Sequence, residues 1–78
     1  MECDFDKIDE MTLALMYLTT FEEEFGARTW KGYDWDTLDR LHQKGFIVEP
    51  KSKAKSVFVT PEGKRRSEEL FQRFFVKS

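Results

Sequence analysis

The stretch from Asp34 to Gly63, DWDTLDRLHQKGFIVEPKSKAKSVFVTPEG, decides the fold. Asp34 stands where a helix N-cap is needed, Tyr33 and Leu38 occupy hydrophobic-staple positions, and Asp36 puts negative charge at the positive end of the helix dipole. Trp35, Leu38 and Leu41 recur at i, i+3 and i+6 with His42 beside them. Asp36, Asp39, Arg40, Gln43 and Lys44 fall on the other side, so one face of this helix is expected to be buried. Gly45 suits the position after the cap, where φ is positive, and Phe46 then reaches back to Leu41. Phe46–Glu49 and Ser56–Val59 are short β-favouring runs on either side of a loop with three lysines, and they predict a β-hairpin. Thr60, Pro61 and Glu62 open another helix with an N-cap, a proline at its first position and an acid in its first turn.

Upstream, Asp6 predicts a helix start, and Ile8, Met11, Leu15 and Leu18 follow at 3-4-3 spacing as its buried stripe. Ala14, Phe21 and Phe25 widen that stripe. Leu13, Met16 and Tyr17 add apolar groups on a second side, so the helix is expected to make contact on two sides. Glu22–Glu24 reads as a solvated helix end, stopped by Gly26. Arg28–Trp30 is expected to form a brief strand at the edge of the hairpin, with Trp30 and Trp35 anchoring the core from either side of a turn. The last helix carries Gly63, Ser67, Leu70, Phe71, Phe74 and Phe75 on one face, its small residues permitting close backbone approach, and Lys64–Glu68, Arg65–Glu69 and Glu69–Arg73 as pairs outside. The expected core is Leu15, Leu18, Trp30, Trp35, Leu38, Leu41, Ile47, Val59, Leu70 and Phe74. The expected fold is one α+β domain over residues 1–78, in the order α-β-α-β-β-α with a short β-hairpin wing.

A chain of 78 residues buries only roughly 60–65% of the surface its unfolded form exposes, yet this one carries eight Phe, two Trp and two Tyr. Rings in excess of a core that small point to a partner or a second copy. The single Cys3 forms no internal disulfide, no apolar run is long enough to span a bilayer, and the acidic start lacks a signal peptide's basic region. Cytoplasmic residence is the expectation. Charge is divided unevenly: residues 1–49 hold twelve acidic and five basic side chains, net −7, and residues 50–78 hold three and eight, net +5, which together give −2.

No residue set points to catalysis. His42 is the only histidine and has no nucleophile or paired acid tied to it by a motif; beside an apolar stripe it reads as a partly buried histidine bonded to backbone. Cys3, Asp4 and Asp6 make a poor zinc set, the glycines form no phosphate-cradling loop, and Asp34, Asp36 and Asp39 are explained by capping and the helix dipole. The expectation is a protein that is not an enzyme, with no cofactor, metal, membrane or small-molecule substrate.

The run Leu38-x-x-Leu41-x-x-x-Gly45-Phe46-Ile47, followed after a loop by Val57-Phe58-Val59-Thr60-Pro61-Glu62-Gly63, resembles the recognition helix and wing of winged-helix proteins. That resemblance covers about half the chain and implies a nucleic-acid-associated module. Only Ala27–Tyr33 stands where that superfamily places a supporting helix, and the helix that would read bases presents Asp36 and Asp39. Along most of its length, through Trp30–Asp36, Leu38–Gly45 and Lys53–Val57, the sequence resembles a family of small uncharacterised bacterial proteins, which implies no activity.

Two functions follow. In the first, Lys51, Lys53, Lys55 and Ser56 on the loop, with Lys64, Arg65 and Arg66, hold the phosphates of DNA without reading sequence. In the second, Val48, Phe58, Phe71 and Phe75 form the surface of a homodimer or of a complex with another protein, because period-2 geometry leaves both faces of the hairpin apolar. Three lysines at a hairpin tip also serve simply to keep its edge from pairing with other chains.

Overall fold

A computed structural model describes residues 1–77. Among these residues the chain forms three helices and a three-stranded antiparallel sheet, a small α+β domain. The elements are α1 (Phe5–Leu18), β1 (Phe21–Glu23), β2 (Gly26–Trp30), α2 (Trp35–Gln43), β3 (Ser56–Phe58) and α3 (Pro61–Phe75). β2 is central, pairing Phe21 with Arg28 on one side and Arg28 with Phe58 on the other. The run Phe46–Glu49, expected as a full strand, contributes one bridge, Ile47 to Val59, and a hydrogen bond from the Val48 amide to the Phe58 carbonyl at 3.0 Å.

The caps of α2 and α3 follow the sequence. The Asp34 side chain accepts from the amide of Thr37, and the Thr60 side chain accepts from that of Gly63. Gly45 has φ 82°, and the amides of Gly45 and Phe46 donate to the carbonyls of His42 and Leu41, which is the Schellman pattern. α1 departs from expectation at both ends. Asp4, not Asp6, caps it, accepting from Lys7, and it stops at Leu18 instead of running on to Phe25. The stop has a local cause, because the Thr20 hydroxyl, together with that of Thr29 from β2, donates to the carbonyl of Met16. Those side chains satisfy a carbonyl that a further helical turn would have claimed. The glutamate run therefore turns back as β1, with Gly26 at φ 136° closing the turn into β2.

α1 also turns a different face inward. Leu13, Ala14 and Met16 are buried, together with Asp9, which is 1% exposed, whereas Leu15 is 41% and Leu18 65% exposed. The cause lies in α2. Arg40 Nε donates to both oxygens of the Asp9 carboxylate at 2.9 Å, and Lys44 Nζ reaches it at 2.9 Å. A buried carboxylate needs such partners, and turning Ile8, Leu15 and Leu18 inward would remove Asp9 from them. The Arg40 guanidinium further lies 4.7 Å over the Phe5 ring and donates to Thr37, so the pairing is held from several directions.

Leu13, Ala14, Met16, Leu38, Leu41, Ile47, Val57 and Leu70 form the core, with Tyr33, Phe46 and Phe74 packed partly buried against it. Trp30 and Trp35, expected inside, are 51% and 57% exposed. Strand alternation explains the first: Ala27 and Thr29 face inward, so Arg28 and Trp30 face outward. Helix phase explains the second, because α2 buries Thr37, Leu38 and Leu41. At Gly63 the approach of α3 to the preceding chain is closest, since a Cβ there would sit 1.9 Å from the carbonyl oxygen of Phe46.

Gly63→Ala is therefore expected to destabilise by about 1–3 kcal/mol or more, although alanine in an open helix position gains about 1 kcal/mol over glycine. Urea unfolding with an unchanged or raised midpoint would contradict the contact. Arg40→Met with Lys44→Met leaves Asp9 buried without a cation and is expected to cost about 3–5 kcal/mol, much of it recovered when Asp9→Leu is added. Hydrogen bonding to Asp9 holds Lys44 above its ordinary 10.5, opposed by partial burial and aided by Asp6. A raised folded-state pKa gives stability that is complete below 10.5 and lost as pH climbs through the folded value. Tyr33, raised by burial, acts with the same sign, so the decline above that pH is expected to be shallower in Lys44→Met than in the parent, as read by thermal melts across pH.

Candidate functional site

The loop between Val48 and Ser56 is fixed from beneath. Lys31, just after β2, donates through Nζ to the carbonyls of Pro50 at 2.7 Å and Ser52 at 2.6 Å, and its amide donates to the carbonyl of Lys55 at 3.1 Å. Pro50 is itself buried. The loop thus lies against the connection from β2 to α2, and between them opens a shallow groove of about 500 Å³. Its walls are the two indoles of Trp30 and Trp35 and the side chains of Lys53 and Lys55, with Gly32 and Ala54 adding little bulk. The Trp30 ring is backed by Phe21, with ring centres 5.5 Å apart.

The basic residues expected to act together fall into two groups with opposite surroundings. Lys51, Lys53 and Lys55 are exposed, and among the described residues none has a carboxylate within ion-pair distance. Lys64 pairs with Glu22, Arg65 with Glu62, and Arg66 with Glu69 and, at 3.2 Å, with Glu10. The Glu22 contact holds the Lys64 ammonium above its ordinary range. Ser56 leaves the proposed phosphate set. It is buried, its hydroxyl accepts from Arg28 Nε at 2.7 Å and its carbonyl from the same guanidinium at 2.8 Å. Arg40 of α2 and Lys44 at its C-cap are committed to Asp9, and His42 is bonded through Nδ1 to the Ile47 carbonyl at 3.0 Å, a structural contact.

Residues 4–77 match the family described as "Domain of unknown function (DUF6429)". The chain belongs to the DUF6429 family. It is similar to "Uncharacterized protein y4hR" of Sinorhizobium fredii, 53% identical over 77 residues that span 99% of this chain and 100% of the relative. No solved structure matches it.

The apolar residues singled out in this DUF6429 chain also divide. Val48, exposed, and Phe58, half-buried under the Arg28 guanidinium at 4.1 Å, line one open pocket with Phe25. Phe71 lies between Tyr17 and Phe75, at 5.2 and 5.6 Å between ring centres. A third apolar surface, Ile8, Leu15 and Leu18, lies on the outside of α1, although sequence periodicity alone predicts it as the inward stripe. The signals that would have found these surfaces are the alternation in Gly26–Trp30, which turns Trp30 out with Arg28, and the single acid Asp9 on the face of Leu13 and Met16. Among the described residues no helix is long and apolar enough to cross a membrane.

Proposed function

We propose that this protein is a non-enzymatic binding module of winged-helix type that associates with nucleic acid through the loop between Val48 and Ser56. One observation carries the reading: Lys51, Lys53 and Lys55 share one loop and have no carboxylate partner among the described residues, in a chain whose net charge is negative. The resemblance to a wing agrees with it, since β3 is flanked by β2 on one side and by Ile47 and Val48 on the other, and the lysine loop stands at the wing position. α2 is a poor reader of bases, because Arg40 and Lys44 serve Asp9 while Asp34 and Asp36 stand at its N-terminus. Contacts through the lysines are independent of sequence. Lys64, Arg65 and Arg66 contribute little in this reading, because their charge is met by glutamates. The proposed setting is the cytoplasm.

Fluorescence anisotropy of labelled DNA at several salt concentrations is expected to show affinity falling steeply with salt, with a logarithmic slope of about −0.9 per phosphate contact on duplex and somewhat less on single strands. Lys51→Ala with Lys53→Ala and Lys55→Ala should flatten that slope by up to about three contacts. An unchanged slope in the triple variant, or no binding at low salt, overturns the reading.

A second reading is a homodimer or protein-interaction module without nucleic-acid contact, favoured by the exposed Ile8, Leu15 and Leu18 on α1 and by the exposed Val48, Phe75 and Val76. Sedimentation at micromolar concentration is then expected to give twice the chain mass, reduced to the monomer by Leu15→Ser or Phe75→Ser. A monomer mass for the parent protein removes the homodimer.

A further inference from the structure

Nothing in the loop's charge explains why two indoles stand beside it in water. Trp30 and Trp35 are both half-exposed, and both line the same groove as Lys53 and Lys55. We propose that this groove is a stacking site for the bases of single-stranded nucleic acid, with Trp30 and Trp35 taking base faces and Lys53 and Lys55 holding the flanking phosphates. The inference rests on the nucleic-acid reading above and adds to it the strand form and the residues that contact bases.

Three features support this occupant. Indoles offer flat apolar faces on which any base stacks, and a base in a duplex has its faces covered by its neighbours, so the site favours an unpaired strand. The ammonium groups of Lys53 and Lys55 have no carboxylate partner among the described residues and complement phosphate; of the acids that flank Trp35 in sequence, Asp34 is occupied by the Thr37 amide and hydroxyl. The groove is also preformed, because Lys31 ties the loop to the β2–α2 connection and Phe21 backs Trp30, which lowers the ordering cost of binding. Gly32 and Ala54 leave the space between the rings and the loop unfilled.

Stacking and phosphate contacts do not sense the sugar, so DNA and RNA strands are expected to bind alike. The test titrates oligothymidylate and oligouridylate of about ten nucleotides, and a duplex of equal length, into the full chain while reading intrinsic tryptophan fluorescence and anisotropy. The expected result is quenching by both single strands and binding about tenfold tighter than to the duplex. Trp30→Ala and Trp35→Ala should each weaken single-strand binding about tenfold and leave duplex binding unchanged, with Trp30→Phe restoring most of it. Circular dichroism melts of Trp35→Ala, at an exposed helix start, and of Trp30→Phe keep folding separate from binding. Equal affinity for single strand and duplex without quenching overturns the stacking site and leaves the lysine-loop reading standing, as does preference for one sugar type alone. No binding to any of the three overturns both.

Discussion

The structure depends on one buried carboxylate. Asp9 lies on the inner face of α1 and is met by Arg40 of α2 and Lys44 at its C-cap, and that pairing sets the rotation of α1 about its axis. Leu13 and Met16, four and seven residues on, are carried into the core with it, where they meet Leu38, Leu41 and Leu70. A helix with apolar residues on two sides has two ways to pack, and burial alone separates them weakly. An ion pair satisfied in one orientation and stranded in the other separates them by several kcal/mol, on the order of the penalty for leaving a buried charge alone.

Much of the fold was legible where local chemistry has no rival. The caps at Asp34 and Thr60, the Schellman end at Gly45, the inward face of Leu38 and Leu41 and the close approach at Gly63 all follow from residues whose options are few. The features that escaped depend on residues distant in sequence. Periodicity chose Ile8, Met11, Leu15 and Leu18 as the buried stripe, because the partners of Asp9 lie more than thirty positions away. The end of α1 escapes a local reading because Thr29, which helps occupy the Met16 carbonyl, belongs to β2. Trp30 and Trp35 were assigned inward on hydrophobicity, whereas strand alternation and helix phase turn them out.

The same partnering sorts the surface of this DUF6429 chain. Sequence placed seven residues in a nucleic-acid set, and the structure divides them by what they touch: glutamates meet Lys64, Arg65 and Arg66, Arg28 occupies Ser56, and Lys51, Lys53 and Lys55 stay in water. A cation's value to a ligand depends on whether an acid in its own chain already holds it, and that is invisible in a linear charge count. The indoles beside the lysine loop reached the surface by the same logic that buried Thr29 and Leu38. The proposed binding groove therefore lies where the packing requirements of β2 and α2 leave these side chains.

Thiol reactivity reads the orientation of α1 directly. In a Cys3→Ser background, Leu15→Cys and Met16→Cys place a thiol at adjacent positions, one 41% exposed and one 1% exposed in the parent residues. If Asp9 holds α1 as described, the Leu15→Cys thiol labels at the rate of an open surface cysteine, and the Met16→Cys thiol labels only as fast as the fold opens. Rapid labelling at Met16→Cys with protection at Leu15→Cys would contradict the rotation, and with it the surfaces assigned to the rest of the chain.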